Sequence, residues 1–255
     1  MSDEPKGSGE RLVHVLKLIA SGPHHFSLSD LAARAHLPAS TIHRLLKILL
    51  KGGLIERGAG QSYRPGRELY LLASQLVARF DISRGARPLL ESLVSEWHET
   101  AVLVLYNPTT RRGTIALTVQ TPHRLRYAVE LGLEVALPWG SLGRAMLAHL
   151  PPDEIEAVLQ QEDTGPLTGV PLPARDEIKQ ALEAIRRHGY ADYFEPSYDL
   201  AGFACPVFGA DEEVLGCLGV TLPGLRFHQI DVPVLVRSLK AAAAKLSEEA
   251  QISYS

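Results

Sequence analysis

The stretch FSLSDLAARAHLPASTIHRLLKIL, Phe26 to Leu49, constrains this chain more than any other. It reads as two short helices separated by a tight corner. Ser27 followed by Asp30 is a capping-box pattern that starts the first helix, whose apolar positions are Leu28, Leu31, Ala32 and Ala35. The second helix begins near Ala39. Its Ile42, Leu45, Leu46 and Leu49 fall at i, i+3, i+4 and i+7, one buried stripe. Only His36, Leu37 and Pro38 lie between the two, and a helix-turn-helix requires a connection that short. Gly52-Gly53 stops the second helix. Strand-like segments 54–57 and 61–64 then flank the tip Gly58-Ala59-Gly60, a hairpin pattern. A helix pair followed by a hairpin is the outline of a winged helix-turn-helix.

Away from its apolar stripe the second helix carries Ser40, His43, Arg44, Lys47 and Lys51. Any solvated helix shows polar residues opposite its core. Short hydroxyls near the N-terminal end and long cations further along also suit a helix in a major groove, where the first turns meet base edges and the flanks reach phosphates. The corner, the Gly-Gly stop and the hairpin, with Arg57 and Arg64 on its two arms, weight the reading toward double-stranded DNA. Charge agrees. Residues 1–80 hold 11 Lys/Arg against 6 Asp/Glu and the remainder 15 against 23, so a basic front module (+5) precedes an acidic remainder (−8) in a chain of net charge −3. Only the front is expected to meet polyanionic phosphate.

A length of 255 residues allows two modest domains with real cores. Two cysteines, Cys205 and Cys217, argue against a disulfide scaffold. The polar start MSDEPKGSGE lacks the apolar core of a signal peptide, and no run approaches a membrane span. The expectation is a soluble, cytoplasmic protein without membrane contact.

Along the chain, Glu10 to Ala20 reads as a helix backing the helix-turn-helix, and Gly66 to Phe80 as a linker helix with Leu69, Leu72, Ala73, Leu76 and Phe80 apolar. Asp81-Ile82-Ser83 interrupts before a further helix to about Trp97. From Thr100 the period changes to strands at 101–106, 113–121 and 125–129. Helices are expected at 141–149, after Pro151-Pro152, and from Arg175 to His188, followed by strands at 203–208 and 214–221 and a closing helix at 232–250. The class is α+β. The domains expected are a winged helix-turn-helix at 9–66, a linker helix at 67–82 and a sensor-like domain at 83–250.

The segments LPASTIHRLLKILLKGGLIER and YRPGRELYLLAS in the front half, and LPWGSLGRAMLA, IRRHGYA and FACPVFGADEEVLGCLGVTLPG in the back half, resemble the isocitrate lyase regulator (IclR) family of bacterial transcription factors. Ser40, Thr41, His43, Arg44, Gly53, Leu54, Tyr63 and Gly66 fill the family's front pattern. The resemblance covers about Glu10 to Leu246. It implies a winged helix-turn-helix joined to a GAF-like effector-binding domain, dimers or pairs of dimers on palindromic promoter sites, and small organic acids or aromatic catabolites as effectors. It adds Thr41 and Tyr63 to the DNA-binding candidates and leaves RNA polymerase as a further partner. Two positions depart from it. Trp139 stands where a His or small residue is usual, and Arg144 where many members carry Lys.

For the effector, Trp139, Gly140, Ser141 and Leu142 open a helix whose free N–H groups suit a carboxylate. An ordinary helix start has the same appearance. Trp139 either packs in the core or stacks on a planar ligand. Glu195, Tyr198 and Asp199 occupy the family's effector loop and are otherwise solvated loop residues. Cys205 and Thr221 lie on or near the inner strands and are candidates to line the pocket, with core packing the better single reading for Cys205. Competing readings are weaker. A Cys205 nucleophile has no histidine nearby in sequence, and His24, His25, His36 and His43 match no zinc spacing. No catalytic residue, metal or cofactor is expected. The alternative is a small-molecule-binding enzyme or sensor in which the helix-turn-helix is purely structural.

Overall fold

The computed structural model describes residues 7–79, 81–127, 129–162 and 164–253. The chain divides between residues 79 and 80 into two compact units. Phe80, read above as part of the linker, lies outside the described residues.

The first unit contains α1 (Ser8–Ala20), β1 (Phe26–Ser27), α2 (Leu28–Ala35), α3 (Ala39–Lys51), β2 (Ile55–Arg57), β3 (Ser62–Pro65) and α4 (Arg67–Arg79). Local chemistry sets these boundaries. The Ser27 hydroxyl accepts from the Asp30 N–H at 3.1 Å and the Asp30 carboxylate accepts from the Ser27 N–H at 3.1 Å, so α2 starts with both orphan donors satisfied. His36 closes α2 in the left-handed conformation (φ 51°), which turns the chain sharply toward Pro38 and α3. The stripe Ile42, Leu45, Leu46 and Leu49 is buried against Val15, Ile19, Phe26, Leu31 and Ile55. Strands β2 and β3 form the expected hairpin. β1 joins as a third strand, in the order β1-β3-β2, with Phe26 opposite Tyr63. That short strand was not legible from sequence.

The second unit is a six-stranded antiparallel sheet in the order β6-β5-β4-β9-β8-β7. Its strands are β4 (Thr100–Asn107), β5 (Arg112–Val119), β6 (Glu134–Val135), β7 (Ala191–Glu195), β8 (Leu200–Phe208) and β9 (Val214–Pro223). One face is covered by α5 (Asp81–Trp97) and α10 (Val232–Ser253), the other by α6 (Gly140–Leu147), α7 (Pro152–Gln161) and α8 (Arg175–His188). The single turn α9 (Gly224–Phe227) follows β9. Alternation along β8 sends Phe203, Cys205 and Val207 into the α5/α10 core and Ala204 into the other. The segment 125–129, expected as a strand, forms none among its described residues. Leu125 there is 57% exposed, while Tyr127 and Val129 are half-buried without joining a strand.

Candidate nucleic-acid interface and effector cavity

On α3 the burial follows the helical period. Ser40, His43, Arg44, Lys47 and Lys51 are exposed and Thr41 is half-buried, while the opposite stripe is fully covered. Arg44 reaches back toward α1, its guanidinium donating to the Ser8 hydroxyl at 3.3 Å. Ile48 is 47% exposed and adds an apolar group to the rim of this face, a residue the sequence reading left out.

The hairpin arginines differ from each other. Arg57 is exposed at the end of β2. Arg64 faces Glu56 across the hairpin and donates to its carboxylate at 3.0 Å. The same carboxylate accepts the Arg67 N–H at 3.0 Å, which caps the start of α4. The Arg67 N–H and then the Arg64 guanidinium hold the Glu56 carboxyl below its ordinary range. Tyr63 stacks on Phe26 with ring centroids 6.1 Å apart, so its ring belongs to the small sheet.

In the second unit a cavity of about 280 Å³ lies at the N-terminus of α6. Trp139, Gly140, Ser141, Leu142 and Thr221 all line it, as the sequence suggested. The rest of its lining is Ile115, Tyr127, Val129, Leu133, Val135, Leu167, Tyr193, Leu200, Ala201 and Gly202. These residues are scattered over four strands and the loops between elements, and no local pattern marks them. Two glycines let α6 lie this close. A Cβ at Gly143 would sit 2.4 Å from the Ala136 carbonyl oxygen, and one at Gly202 would sit 2.9 Å from the Ser141 hydroxyl. Burial, and then the charge of Glu195, pushes the Tyr193 phenol up. Burial, and then Asp199, does the same for Tyr127. Both phenols therefore stay neutral donors. The Tyr127 hydroxyl donates a hydrogen bond to the Tyr198 carbonyl, which ties Tyr127 down beside the cavity.

Four of the residues read as effector contacts lie elsewhere. Cys205 belongs to the α5/α10 core on the far face of the sheet, because its odd register position points away from α6. Burial pushes its thiol up to about 12, so it stays protonated. Asp199 is committed to a turn. Its carboxylate accepts the Leu225 N–H at 2.7 Å and its carbonyl the Gly224 N–H at 2.6 Å, which starts α9. Glu195 accepts the Ser197 N–H at 3.1 Å and opens a single 3-10 turn. Tyr198 offers its backbone to Tyr127 while its ring is 42% exposed. Carboxylates in this loop organise the backbone.

Among the described residues no three His, Cys, Asp or Glu side chains are grouped to hold a metal ion, and no helix is long and apolar enough to cross a membrane.

The IclR helix-turn-helix domain matches residues 8–59, and the bacterial transcriptional regulator IclR C-terminal domain matches residues 74–248. The chain belongs to the IclR family. Its relatives in that family are transcriptional regulators. The HTH-type transcriptional regulator KipR of Bacillus subtilis is 28% identical over 230 residues, covering 88% of this chain and 89% of its own. Two IclR-family structures show the same fold. The regulator from Alicyclobacillus acidocaldarius superposes with a TM-score of 0.83 at 23% identity, over 95% of this chain and 98% of that one. An IclR homolog from Microbacterium hydrocarbonoxydans, complexed with 4-hydroxybenzoate, gives 0.78 at 24% identity, again over 95% and 98%.

Proposed function

We propose that this chain is a cytoplasmic, ligand-responsive repressor or activator of a catabolic operon. It binds a palindromic promoter site as a dimer or pair of dimers, RNA polymerase being a further partner. Its α3 face reads the major groove through Ser40, Thr41, His43, Arg44 and Lys47, and Lys51 reaches the backbone. The effector is an aromatic monocarboxylate. One observation carries this: the α6 cavity has mainly apolar walls and no Lys, Arg or His among its lining residues, while its polar end is the Ser141 hydroxyl at a helix N-terminus. Such a site balances one negative charge through N–H dipoles and leaves a second unmatched. The Trp139 wall suits a flat body, and a homologous fold holding 4-hydroxybenzoate supports the choice. The test is a mobility shift on the upstream promoter fragment, with and without 4-hydroxybenzoate and benzoate, at two salt concentrations. An unaltered shift with every aromatic acid would reject the effector class, and no shift at all would reject the DNA reading.

Two substitutions refine this. Trp139→Ala is expected to weaken an aromatic acid about tenfold through loss of ring stacking, while tolerating bulkier ligands, as read by calorimetry. In the wing, Arg57→Ala should lower the salt slope of DNA binding by about one, the signature of a lost phosphate contact. Arg64→Ala should leave that slope unchanged, because its guanidinium is already engaged by Glu56. Equal effects of the two would show that the Glu56 pair does not restrain Arg64.

A further inference from the structure

Behind α6, on the side facing α8, lies a second cavity of about 200 Å³ that shares no lining residue with the first. Its walls are apolar at Leu147, Pro173, Ile178, Ala181 and Leu182. One cation enters it, Arg144. The Arg144 Nε donates to the Pro138 carbonyl at 2.9 Å, and its terminal amino groups have no hydrogen bond or ion pair among the described residues. The guanidinium is half-buried with one of its five donors engaged by the protein, which leaves its Nη groups open to water or to a ligand that displaces it. Burial accordingly depresses its pKa, with Tyr193 and Asp192 opposing that from the neighbouring strand.

We infer that Arg144 anchors a second small-molecule site, separate from the effector cavity, that takes a short aliphatic monocarboxylate. The planar fork of two Nη groups matches a carboxylate in bidentate geometry. The apolar walls suit an alkyl body, and a volume below the ~300–1,000 Å³ usual for drug-sized ligands limits its length. Charge sets the valence. Glu177 lies in the wall and Asp192 stands near the guanidinium, so a second negative charge on the ligand meets repulsion from both. Dicarboxylates and phosphate are therefore disfavoured.

The test is calorimetric titration of the full chain with butyrate, and with glutarate and inorganic phosphate as comparisons. Saturable butyrate binding is expected, with glutarate and phosphate at least about tenfold weaker. Arg144→Met should weaken butyrate about tenfold or more, the range for loss of a charged hydrogen bond, and Arg144→Lys should restore part of it. Ala181→Leu fills the cavity from α8, away from the effector site, and should also abolish binding. Circular dichroism and the melting temperature establish that each variant is folded, and if Ala181→Leu is not, Ala181→Val replaces it. Absence of saturable binding to the wild-type chain, or butyrate binding unchanged in folded Ala181→Leu, would overturn the inference.

Discussion

Arg44→Ala combined with Lys47→Ala is expected to weaken promoter binding about tenfold to a hundredfold or more while the protein stays folded. Both side chains project from the exposed side of α3, opposite the stripe that holds the first unit together. A bidentate arginine contact to a guanine edge contributes roughly 1–3 kcal/mol of discrimination. A lysine on a phosphate adds affinity that is indifferent to sequence and lowers the salt slope by about one when removed. The two losses are separable: Arg44→Ala alone should relax selectivity, and Lys47→Ala alone should weaken all sequences alike. Stability should move by no more than about 0.5 kcal/mol, because the Arg44 contact with Ser8 lies on the surface. Measurement is by mobility shift on promoter and unrelated fragments at two salt concentrations. Wild-type affinity and slope in the double variant would mean that another face meets DNA.

The second large effect is expected at Gly143. A methyl group there would meet two backbone carbonyls, 2.4 Å from Ala136 and 2.6 Å from Leu137. Neither can rotate away as a side chain would. Gly143→Ala must therefore lift α6 off the 136–137 segment, carrying Ser141 out of the cavity and disturbing the lead into Trp139. Overpacking of this kind costs about 1–3 kcal/mol, a drop in Tm of several degrees for a unit of this size. Aromatic-acid binding should be lost with it, while promoter binding persists, since the first unit has its own core. Calorimetry with 4-hydroxybenzoate and a mobility shift without it separate the two outcomes. A folded Gly143→Ala protein that binds the acid normally would show that the seating of α6 does not set the site.

The parts of this molecule that were legible from sequence are those whose causes are local. The helix-turn-helix corner was readable because Ser27, Asp30 and the 36–38 connection act within a few residues of one another. α8 was readable from Arg175 to His188 because Gly189 ends it in the left-handed conformation. The α6 start was readable as a glycine-rich turn, and five residues assigned to the cavity line it. What was not legible depended on distant partners. The face that Cys205 takes is fixed by register with β9. Asp199 resembles a ligand residue until the N–H groups of Gly224 and Leu225 come back to it. β7 and β1 were missed because each is short and is held by pairing with a strand elsewhere. Tyr127 and Tyr193 reach the cavity from segments with no shared pattern.

The strand order of the large sheet has a kinetic consequence. The central pair joins β4 to β9, with Thr100 opposite Thr221, and α5 packs on α10 at the far end of the chain. The middle of the sheet is thus closed by strands far apart in sequence. High contact order of this kind makes folding slow and postpones it until β9 has been made. The first unit is built from neighbours in sequence and can form while the second is still being made. A nascent or truncated chain ending before β9 would then carry a folded DNA-facing module with no sensor, so a premature stop in this region is expected to yield a regulator deaf to its effector and not merely an absent one.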